Sequence, residues 1–328
     1  MKAIVYREYG APDVLRVEEL ETPAPKDDEV LIKVHSAEVT KGDCEMRSFN
    51  FAVNWFWLPL RIVFGIFKPR KQILGGYFSG EIEAIGKDVT KFTLGDHVFG
   101  STSMRLGAYG EYLCLPENYT IVMKPANISH EAAAAVPLGG LNALHFMRKA
   151  NIKAGEKVLI IGAGGSIGTF SIQIAKNMGA EVTAVDSLIK KDILQDIGAD
   201  YFINYETEDV TEQGKTYDVI FNMVAKSRYA DMVKLLNPKG RYLMGNPKLI
   251  DMLRSVMTTK FTDKKSMFAF AGEKPDELVI LKNLIEEGKI RPVVDKIYSI
   301  NQIAEAHRRV ETENRLGIVV VSFDKMKE

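Results

Sequence analysis

The sequence feature that most constrains the fold is a glycine-rich stretch between an apolar run and a helical pattern. The chain reads VLIIGAGGSIG from 158 to 168, and apolar side chains then recur on one helical face. A backbone that turns this tightly into a helix presents unpaired N–H groups and a positive dipole end, which suit an anion. The turn therefore predicts binding of the phosphates of a pyridine dinucleotide by Gly162, Gly164, Gly165, Ser166, Ile167 and Gly168. Glycines that only permit close strand–helix packing are the alternative.

The sequence around this turn predicts a doubly wound parallel sheet of the Rossmann type. Between residues 126 and 265, short apolar runs alternate with segments of helical period, as in successive βαβ units. The predicted strands are Val158–Ile161, Val182–Val185, Tyr201–Ile203, Val219–Phe221 and Arg241–Met244.

The residues before and after this region have a different sequence pattern. Residues 1–125 carry short alternating runs separated by Gly, Pro and Asp, which is typical of an antiparallel barrel or sandwich. Residues 266–328 pass through a helix at Pro275–Glu287 and return to strand patterns, so we expect them to rejoin the first domain. A chain of 328 residues also favours two domains. We therefore predict an α/β protein in which a dinucleotide-binding domain, 126–265, is inserted in a β-rich domain made of 1–125 and 266–328.

The charge balance and the cysteine content exclude several classes of partner and location. Lys+Arg and Asp+Glu number 43 each, so the chain has no net charge with which to attract nucleic acid. Cys44 and Cys114 are far apart in the sequence, which favours a reducing compartment over a disulfide framework. The first residues alternate like a strand and lack the apolar core of a signal peptide. We therefore expect a cytoplasmic location.

A strongly apolar segment, Phe51–Phe67, tests that expectation. It is shorter than the roughly 20 residues that a membrane span needs, and Pro59 and Arg61 interrupt it. We therefore predict no membrane span. Three roles stay open for this segment: a packed excursion within the domain, a wall of an apolar substrate pocket, or a contact with a membrane surface or a partner.

The second predicted strand is followed by Asp186, which bears on the choice of nucleotide. A carboxylate about 20 residues after the glycine turn is typical of NAD binding, because it accepts the ribose hydroxyls and repels a 2′-phosphate. Ser187 and Lys190 follow immediately, and both side chains suit a phosphate. The residues alone leave NAD and NADP open.

Longer stretches of the chain carry a family resemblance. They are MKAIVYREYGAPDVLRVEEL at the start, GEIEAIGKDVTKFTLGDHVFG at 80–100, GAYGEYLCLPE at 107–117, AAAAVPLGGLNALHFM at 132–147, IGAGGSIGTFSIQIAKNMGAEVTAV at 161–185 and IGADYFINY at 197–205. With these, the chain resembles the medium-chain dehydrogenase/reductase superfamily, in particular its zinc-free quinone oxidoreductase-like branch. The resemblance implies a GroES-like catalytic domain split around a Rossmann domain, and commonly a homodimer paired through the Rossmann sheets.

The resemblance also implies that this chain lacks the metal of its zinc-dependent relatives. Thr40 stands where those relatives have their first cysteine ligand, and Gly75-Gly76-Tyr77 replaces their Gly-His-Glu motif. The chain has too few cysteines for a four-cysteine structural site. We therefore predict that no zinc is bound.

For this branch, the resemblance implies hydride transfer from NADPH, or alternatively NADH, to a small apolar quinone or α,β-unsaturated carbonyl. Matched by position, the candidate catalytic residues are Thr40, Asp43 and Asn142. Tyr77 and Tyr109 are possible proton donors, and a packing role is the alternative for each. Lys190 and Tyr205 match the contacts of the 2′-phosphate. The residues expected to line the rest of the cofactor groove are Asn222, Val224, Phe268 and Phe270.

Two other functions stay open at this point. The first is an NAD(P)-dependent alcohol dehydrogenase, because the same superfamily contains many. The second is a nucleotide-binding redox sensor with little turnover, because the glycine turn predicts binding and not chemistry.

Overall fold

Alternating and continuous apolar runs both form strands in the computed structural model, which describes residues 1–51, 57–269 and 272–324. The strands are β1 Lys2–Tyr6, β2 Leu15–Glu19, β3 Glu29–Val39, β4 Tyr77–Ile85, β5 His97–Ser101, β6 Tyr112–Pro116, β7 Ile121–Met123, β8 Lys157–Ile161, β9 Glu181–Asp186, β10 Tyr201–Asn204, β11 Tyr217–Asn222, β12 Leu236–Met244, β13 Lys265–Phe268, β14 Val294–Ser299 and β15 Ile318–Ser322.

The α-helices among the described residues connect or flank these strands. They are α1 Lys41–Ser48, α2 Trp57–Phe64, α3 His130–Ala134, α4 Pro137–Ala150, α5 Ser166–Asn177, α6 Lys191–Asp196, α7 Tyr229–Lys234, α8 Leu249–Phe261, α9 Pro275–Glu286 and α10 Ile303–Glu311. Across residues 1–51, 57–269 and 272–324, no helix is long and apolar enough to cross a membrane.

The first of two units comprises Met1–Leu138, Glu273–Gly288 and Pro292–Glu328. Its main sheet has the order β14-β15-β3-β4-β5-β7, with β6 paired to β3. The last strand of the chain, β15, pairs antiparallel with β3 through Val319–Val39 and Ser322–Ser36. Alternate side chains of these strands form one core, which includes Ile32, Phe78 and Val319.

The second unit comprises Gly139–Gly272 and Lys289–Arg291. Its six strands are all parallel and have the order β10-β9-β8-β11-β12-β13. All five strands predicted from apolar runs lie in this sheet, because strands covered on both faces are apolar throughout. The predicted α/β fold, with a doubly wound parallel sheet of the Rossmann type in the second unit and a β-rich first unit, is confirmed. The predicted domain limits at 125/126 and 265/266 stay a prediction.

Candidate functional site

The predicted cofactor residues lie at one edge of the parallel sheet. Gly162 follows β8, Asp186 ends β9, and Asn222 ends β11. The strand order reverses at β8, with β9 on one side and β11 on the other. In open α/β sheets, ligands bind at the carboxyl ends of the strands at such a reversal.

Two glycines of the turn have separate physical reasons within the protein to lack a side chain, and a third has none. Gly162 has φ +80°, a backbone conformation that side chains rarely adopt. A Cβ on Gly168 would lie 2.5 Å from the carbonyl oxygens of Gly162 and Ala163, so Gly168 lets α5 start close to β8. A Cβ on Gly165 would meet nothing closer than 3.8 Å, and Gly165 has ordinary extended backbone. Packing within the protein therefore does not require glycine at 165.

The carboxylate of Asp186 holds the glycine turn against β9. Its Oδ2 accepts a hydrogen bond of 2.7 Å from the backbone N–H of Gly164. Its Oδ1 accepts one of 2.9 Å from the N–H of Ser187 and lies 2.9 Å from Nζ of Lys190. The side chains of Asp186 and Lys190 are each only 7% exposed. The two residues that the sequence offers as rival nucleotide contacts are therefore a buried ion pair with each other.

Lys190 also packs directly over the turn. A Cβ on Gly164 would lie 2.2 Å from Cδ of Lys190 and 3.0 Å from Oδ2 of Asp186. Gly164 therefore leaves the space through which the Lys190 side chain reaches Asp186. The turn, the carboxylate and the lysine form one packed cluster, which we call the Asp186 brace (Gly164, Asp186, Ser187 and Lys190).

The other described cofactor candidates end or follow strands at the same edge of the parallel sheet. The N–H of Tyr205 donates to the carbonyl of Asp186 at 3.3 Å, and the residue is 60% exposed. Asn222 is buried and donates to the hydroxyl of Tyr242 at 2.9 Å, while its Oδ1 accepts from the N–H of Val224. Phe268 ends β13 and is partly exposed. Phe270 lies outside the described residues.

In the first unit, Thr40 and Asp43 form the N-terminal cap of α1. The hydroxyl of Thr40 accepts from the N–H of Asp43 at 3.0 Å and donates to Oδ2 of Asp43 at 2.5 Å. The N–H of Thr40 also donates to Oδ2, at 2.9 Å. This capping box explains why Thr40 and Asp43 occur at this spacing.

Asp43 is the centre of a larger buried hydrogen-bond network. Its Oδ1 accepts from the N–H of Gly75 at 3.0 Å, and the hydroxyl of Tyr109 also bonds to this carboxylate. Burial raises the pKa of Asp43, while the donors from Thr40, Gly75 and Tyr109 oppose that rise. The carboxylate therefore ties α1 to the segment before β4. We assign it a positioning role, and a catalytic role for Asp43 stays a prediction.

The network continues through a histidine that sequence reasoning missed. Nη1 of Arg47 lies 3.2 Å from Nδ1 of His307, and an arginine only donates, so Nδ1 is the acceptor. Nε2 of His307 then carries the proton and donates to the hydroxyl of Tyr109 at 3.3 Å. Burial and the Arg47 charge lower the pKa of His307 to about 3, which agrees with a neutral ring.

Tyr77 is bonded to an acidic residue far along the chain. Its hydroxyl donates to Oε1 of Glu273 at 2.9 Å, and Oε2 accepts from the hydroxyls of Ser101 and Ser103 at 2.7 Å each. Burial, followed by the charge of Glu273, raises the pKa of Tyr77 well above its usual value. Tyr77 is therefore protonated at neutral pH. Glu273 carries no motif, and sequence reasoning did not find it.

The predicted catalytic residues divide between the units. Thr40, Asp43 and Tyr77 lie in the first unit, and Asn142 lies on α4 in the second. Within residues 1–51, 57–269 and 272–324, no group of three or more His, Cys, Asp or Glu side chains is placed to hold a metal ion. The absence of zinc stays a prediction, as does the role of each site residue.

Three family profiles match successive parts of the chain. The alcohol dehydrogenase GroES-like domain matches residues 26–126, and the zinc-binding dehydrogenase family matches 197–321. The C-terminal domain of alanine dehydrogenase/PNT matches 140–228, which contains the glycine turn.

Characterised relatives match nearly the whole length. A mouse mitochondrial NAD(P)H oxidoreductase is 30% identical over 98% of this chain and 89% of its own. The chloroplastic NADPH-dependent alkenal/one oxidoreductase of Arabidopsis thaliana is 28% identical over 98% of this chain and 79% of its own. The solved quinone oxidoreductase of Coxiella burnetii is 28% identical, with a TM-score of 0.86 over 98% of this chain and 99% of that one.

Proposed function

Because the chain belongs to the medium-chain dehydrogenase/reductase superfamily, in its quinone oxidoreductase-like branch, we propose that it transfers hydride from a reduced nicotinamide dinucleotide to a quinone or an α,β-unsaturated carbonyl. The observation that carries the proposal is the glycine turn at the reversal of strand order, held by Asp186. The activities named for the Arabidopsis and Coxiella relatives support the acceptor class.

The residues of the turn fit a dinucleotide. Gly165 lacks a side chain although nothing in the protein fills that space, and Ser166 begins the twelve-residue helix α5. Backbone N–H groups of Gly165, Ser166 and Ile167 would hold the pyrophosphate at the positive end of α5. When bound, the nicotinamide supplies the hydride. The protein supplies binding and orientation, which convert the transfer into an effectively unimolecular step.

We propose NADPH as the preferred cofactor, with NADH as the alternative. Asp186 repels a 2′-phosphate only where its charge is free, and here Lys190 and two backbone N–H groups neutralise and occupy it. Lys190 lies in the short turn after β9, where its ammonium is paired with Asp186, and Tyr205 lies at the same edge of the sheet and is exposed. The name of the Arabidopsis relative supports the same preference.

On the acceptor side, we place proton delivery on Tyr77. Hydride addition to the β-carbon of an enone leaves an enolate, which needs one proton. Tyr77 stays protonated at neutral pH and is bonded to Glu273, so it holds a proton at a defined atom. The hydroxyl of Thr40 also donates to a carboxylate, but over 2.5 Å to Asp43 against 2.9 Å from Tyr77 to Glu273, so Thr40 holds its proton more tightly.

We further propose a homodimer that forms through the second unit. Strand β13 is the last strand of the six-stranded sheet and pairs with β12 on one side only. Next to it, α8 exposes large apolar side chains, which are costly to leave in water. These are Leu249, Ile250, Leu253, Val256, Met257 and Phe261.

The predicted cytoplasmic location stays a prediction.

A glycine substitution separates ligand binding from folding. We expect Gly165→Ala to fold normally, because its Cβ would meet no protein atom within 3.8 Å. We expect it to weaken NADPH binding at least about tenfold, because the methyl group would crowd the pyrophosphate. Gly168→Ala is the matched control for a packing glycine and should lower thermal stability. Unchanged NADPH affinity in Gly165→Ala would contradict dinucleotide binding at this turn.

A substrate panel run with both cofactors tests the reaction itself. We expect oxidation of NADPH with 1,4-quinones or alkenals, and weaker oxidation of NADH. Alcohol-dependent reduction of NAD without quinone or enone turnover would favour an alcohol dehydrogenase instead. Tight NADPH binding with no turnover of any acceptor would favour the redox sensor.

A further inference from the structure

The helix α2 exposes most of its apolar side chains. Of its eight residues, all described, only Phe64 is buried. Leu58, Ile62 and Val63 are each more than half exposed, and in the turn that follows Phe67 is 91% exposed. Because solvent exposure of clustered large apolar side chains is unfavourable, this surface is expected to be covered in the working protein.

Cations follow the apolar side chains along the same segment. The stretch 57–71 contains Arg61, Lys68, Arg70 and Lys71 and has no Asp or Glu. Lys68, Arg70 and Lys71 are exposed. We call this stretch the apolar–basic surface (residues 57–71). Its charge is one-sided in a chain whose net charge is zero.

Partly buried contacts fix the apolar–basic surface in its exposed position. The hydroxyl of Tyr9 donates to the carbonyls of Phe64 and Gly65 at 3.2 and 2.8 Å. The guanidinium of Arg61 stacks 4.2 Å from the ring centroid of Tyr9 and 4.4 Å from that of Phe49. The N–H of Arg70 donates to the carbonyl of Phe64 at 2.8 Å, which closes the turn that presents Phe67.

We propose that the apolar–basic surface docks on an anionic lipid bilayer. A bilayer accepts exposed Leu, Ile, Val and Phe side chains in its acyl region and attracts Lys and Arg to its headgroups, without requiring shape complementarity. Trp57, at the start of α2, suits the interface between these two regions. A protein partner would have to supply carboxylates at fixed positions opposite Lys68 and Arg70, whereas anionic headgroups rearrange around them.

Lipid docking does not depend on the proposed function, since it rests on the residues of 57–71 alone. It has one consequence that does rest on that function. A quinone acceptor with an apolar tail partitions into bilayers, so docking would bring the enzyme to its substrate. Vesicle binding and quinone turnover are measured separately, so failure of one is distinguishable from failure of the other.

The test is flotation of the full-length protein with phosphatidylcholine vesicles, with and without anionic phosphatidylglycerol. We expect binding to the anionic vesicles and loss of binding at about 0.5 M salt, where charges are screened. Each basic residue near an anionic surface contributes about fivefold to the partition coefficient. Lys68→Gln/Arg70→Gln is therefore expected to lower it about 25-fold, and Phe67→Ser at least about tenfold.

Two control variants separate the surface from general effects. Arg148→Gln/Lys149→Gln removes the same two charges from exposed positions on α4, and Leu94→Ser removes a leucine that is 64% exposed elsewhere in the first unit. Both should bind vesicles like the wild type. The proposal is overturned if the wild type ignores anionic vesicles, or if the control variants lose binding as much as the test variants. Self-association that Phe67→Ser abolishes, without vesicle binding, would show a protein contact instead.

Discussion

Replacing Asp186 by asparagine tests whether the Asp186 brace holds the glycine turn. Asparagine can still accept one N–H bond, but it leaves the ammonium of Lys190 without a counter-charge at a site where both side chains are 7% exposed. Removing one partner of a buried ion pair destabilises by about 3–5 kcal/mol. We expect about 3 kcal/mol, the lower end, because the lysine side chain is flexible and its head can move toward solvent.

This loss should appear as local opening of the turn, measured by hydrogen exchange and mass spectrometry. About 1.4 kcal/mol corresponds to a tenfold change in an equilibrium constant. A peptide covering Gly162–Ser166 is therefore expected to exchange about a hundredfold faster in Asp186→Asn. Asp200→Asn is the matched control in the same unit. Its partner Lys176 is 2.7 Å away, but both side chains are about one third exposed, so the expected loss is about 1 kcal/mol or less.

A second substitution shows whether the unpaired charge causes the loss. Asp186→Asn/Lys190→Met leaves no charge unpaired and should recover about 2 of the about 3 kcal/mol. The reasoning is refuted if Asp186→Asn exchanges within about threefold of the wild type, or if the double variant opens more readily than the single one.

Three further variants test other parts of the molecule. Tyr77→Phe removes the hydroxyl bonded to Glu273 and should lower kcat about a hundredfold without changing the affinity for NADPH, in steady-state assays and titrations. Val256→Glu places a carboxylate on the exposed face of α8 and should convert the proposed dimer to a monomer in sedimentation experiments. Burial and the charges of His35, Lys124 and His97 lower the pKa of His130 from 6.5 to about 3. Folding therefore favours neutral His130, and this stabilisation is complete above pH 6.5 and lost as the pH falls toward 3. His130→Gln should lose less thermal stability than the wild type on acidification through that range.

The fold was predictable from the sequence where burial leaves a pattern in the residues. The parallel strands of the second unit are covered on both faces, so runs such as Val158–Ile161 are continuously apolar. Strand β13, Lys265–Phe268, was not predicted. It has only four residues, two of them polar, and is the edge strand of the sheet, where it pairs with β12 alone.

The candidate site was less predictable, because contacts between side chains distant in sequence leave no periodic signal. Asp186 and Lys190 were both found as nucleotide candidates, but neither residue type reveals that they bind each other across a short turn. Glu273 lies 196 positions from Tyr77. The apolar composition of α2 was compatible with a buried helix and with an exposed one. The structure shows that the helix is exposed, because Phe64 is the one buried residue among its eight described residues.

The hydrogen bonds of the first unit determine which predicted catalytic residue has a proton to give. Thr40 donates its hydroxyl proton to Asp43, so its oxygen can only accept a hydrogen bond from another group. Asp43 is fully buried and accepts from Thr40, Gly75 and Tyr109, and the proton of Tyr109 is given to that carboxylate. Tyr77 differs because its bond to Glu273 is longer, 2.9 Å against 2.5 Å from Thr40 to Asp43, and because Glu273 also accepts from two serine hydroxyls. Among these residues, Tyr77 is therefore the proton donor that we propose for the reduced acceptor. Thr40 and Asp43 cap α1, and a catalytic role for either stays a prediction.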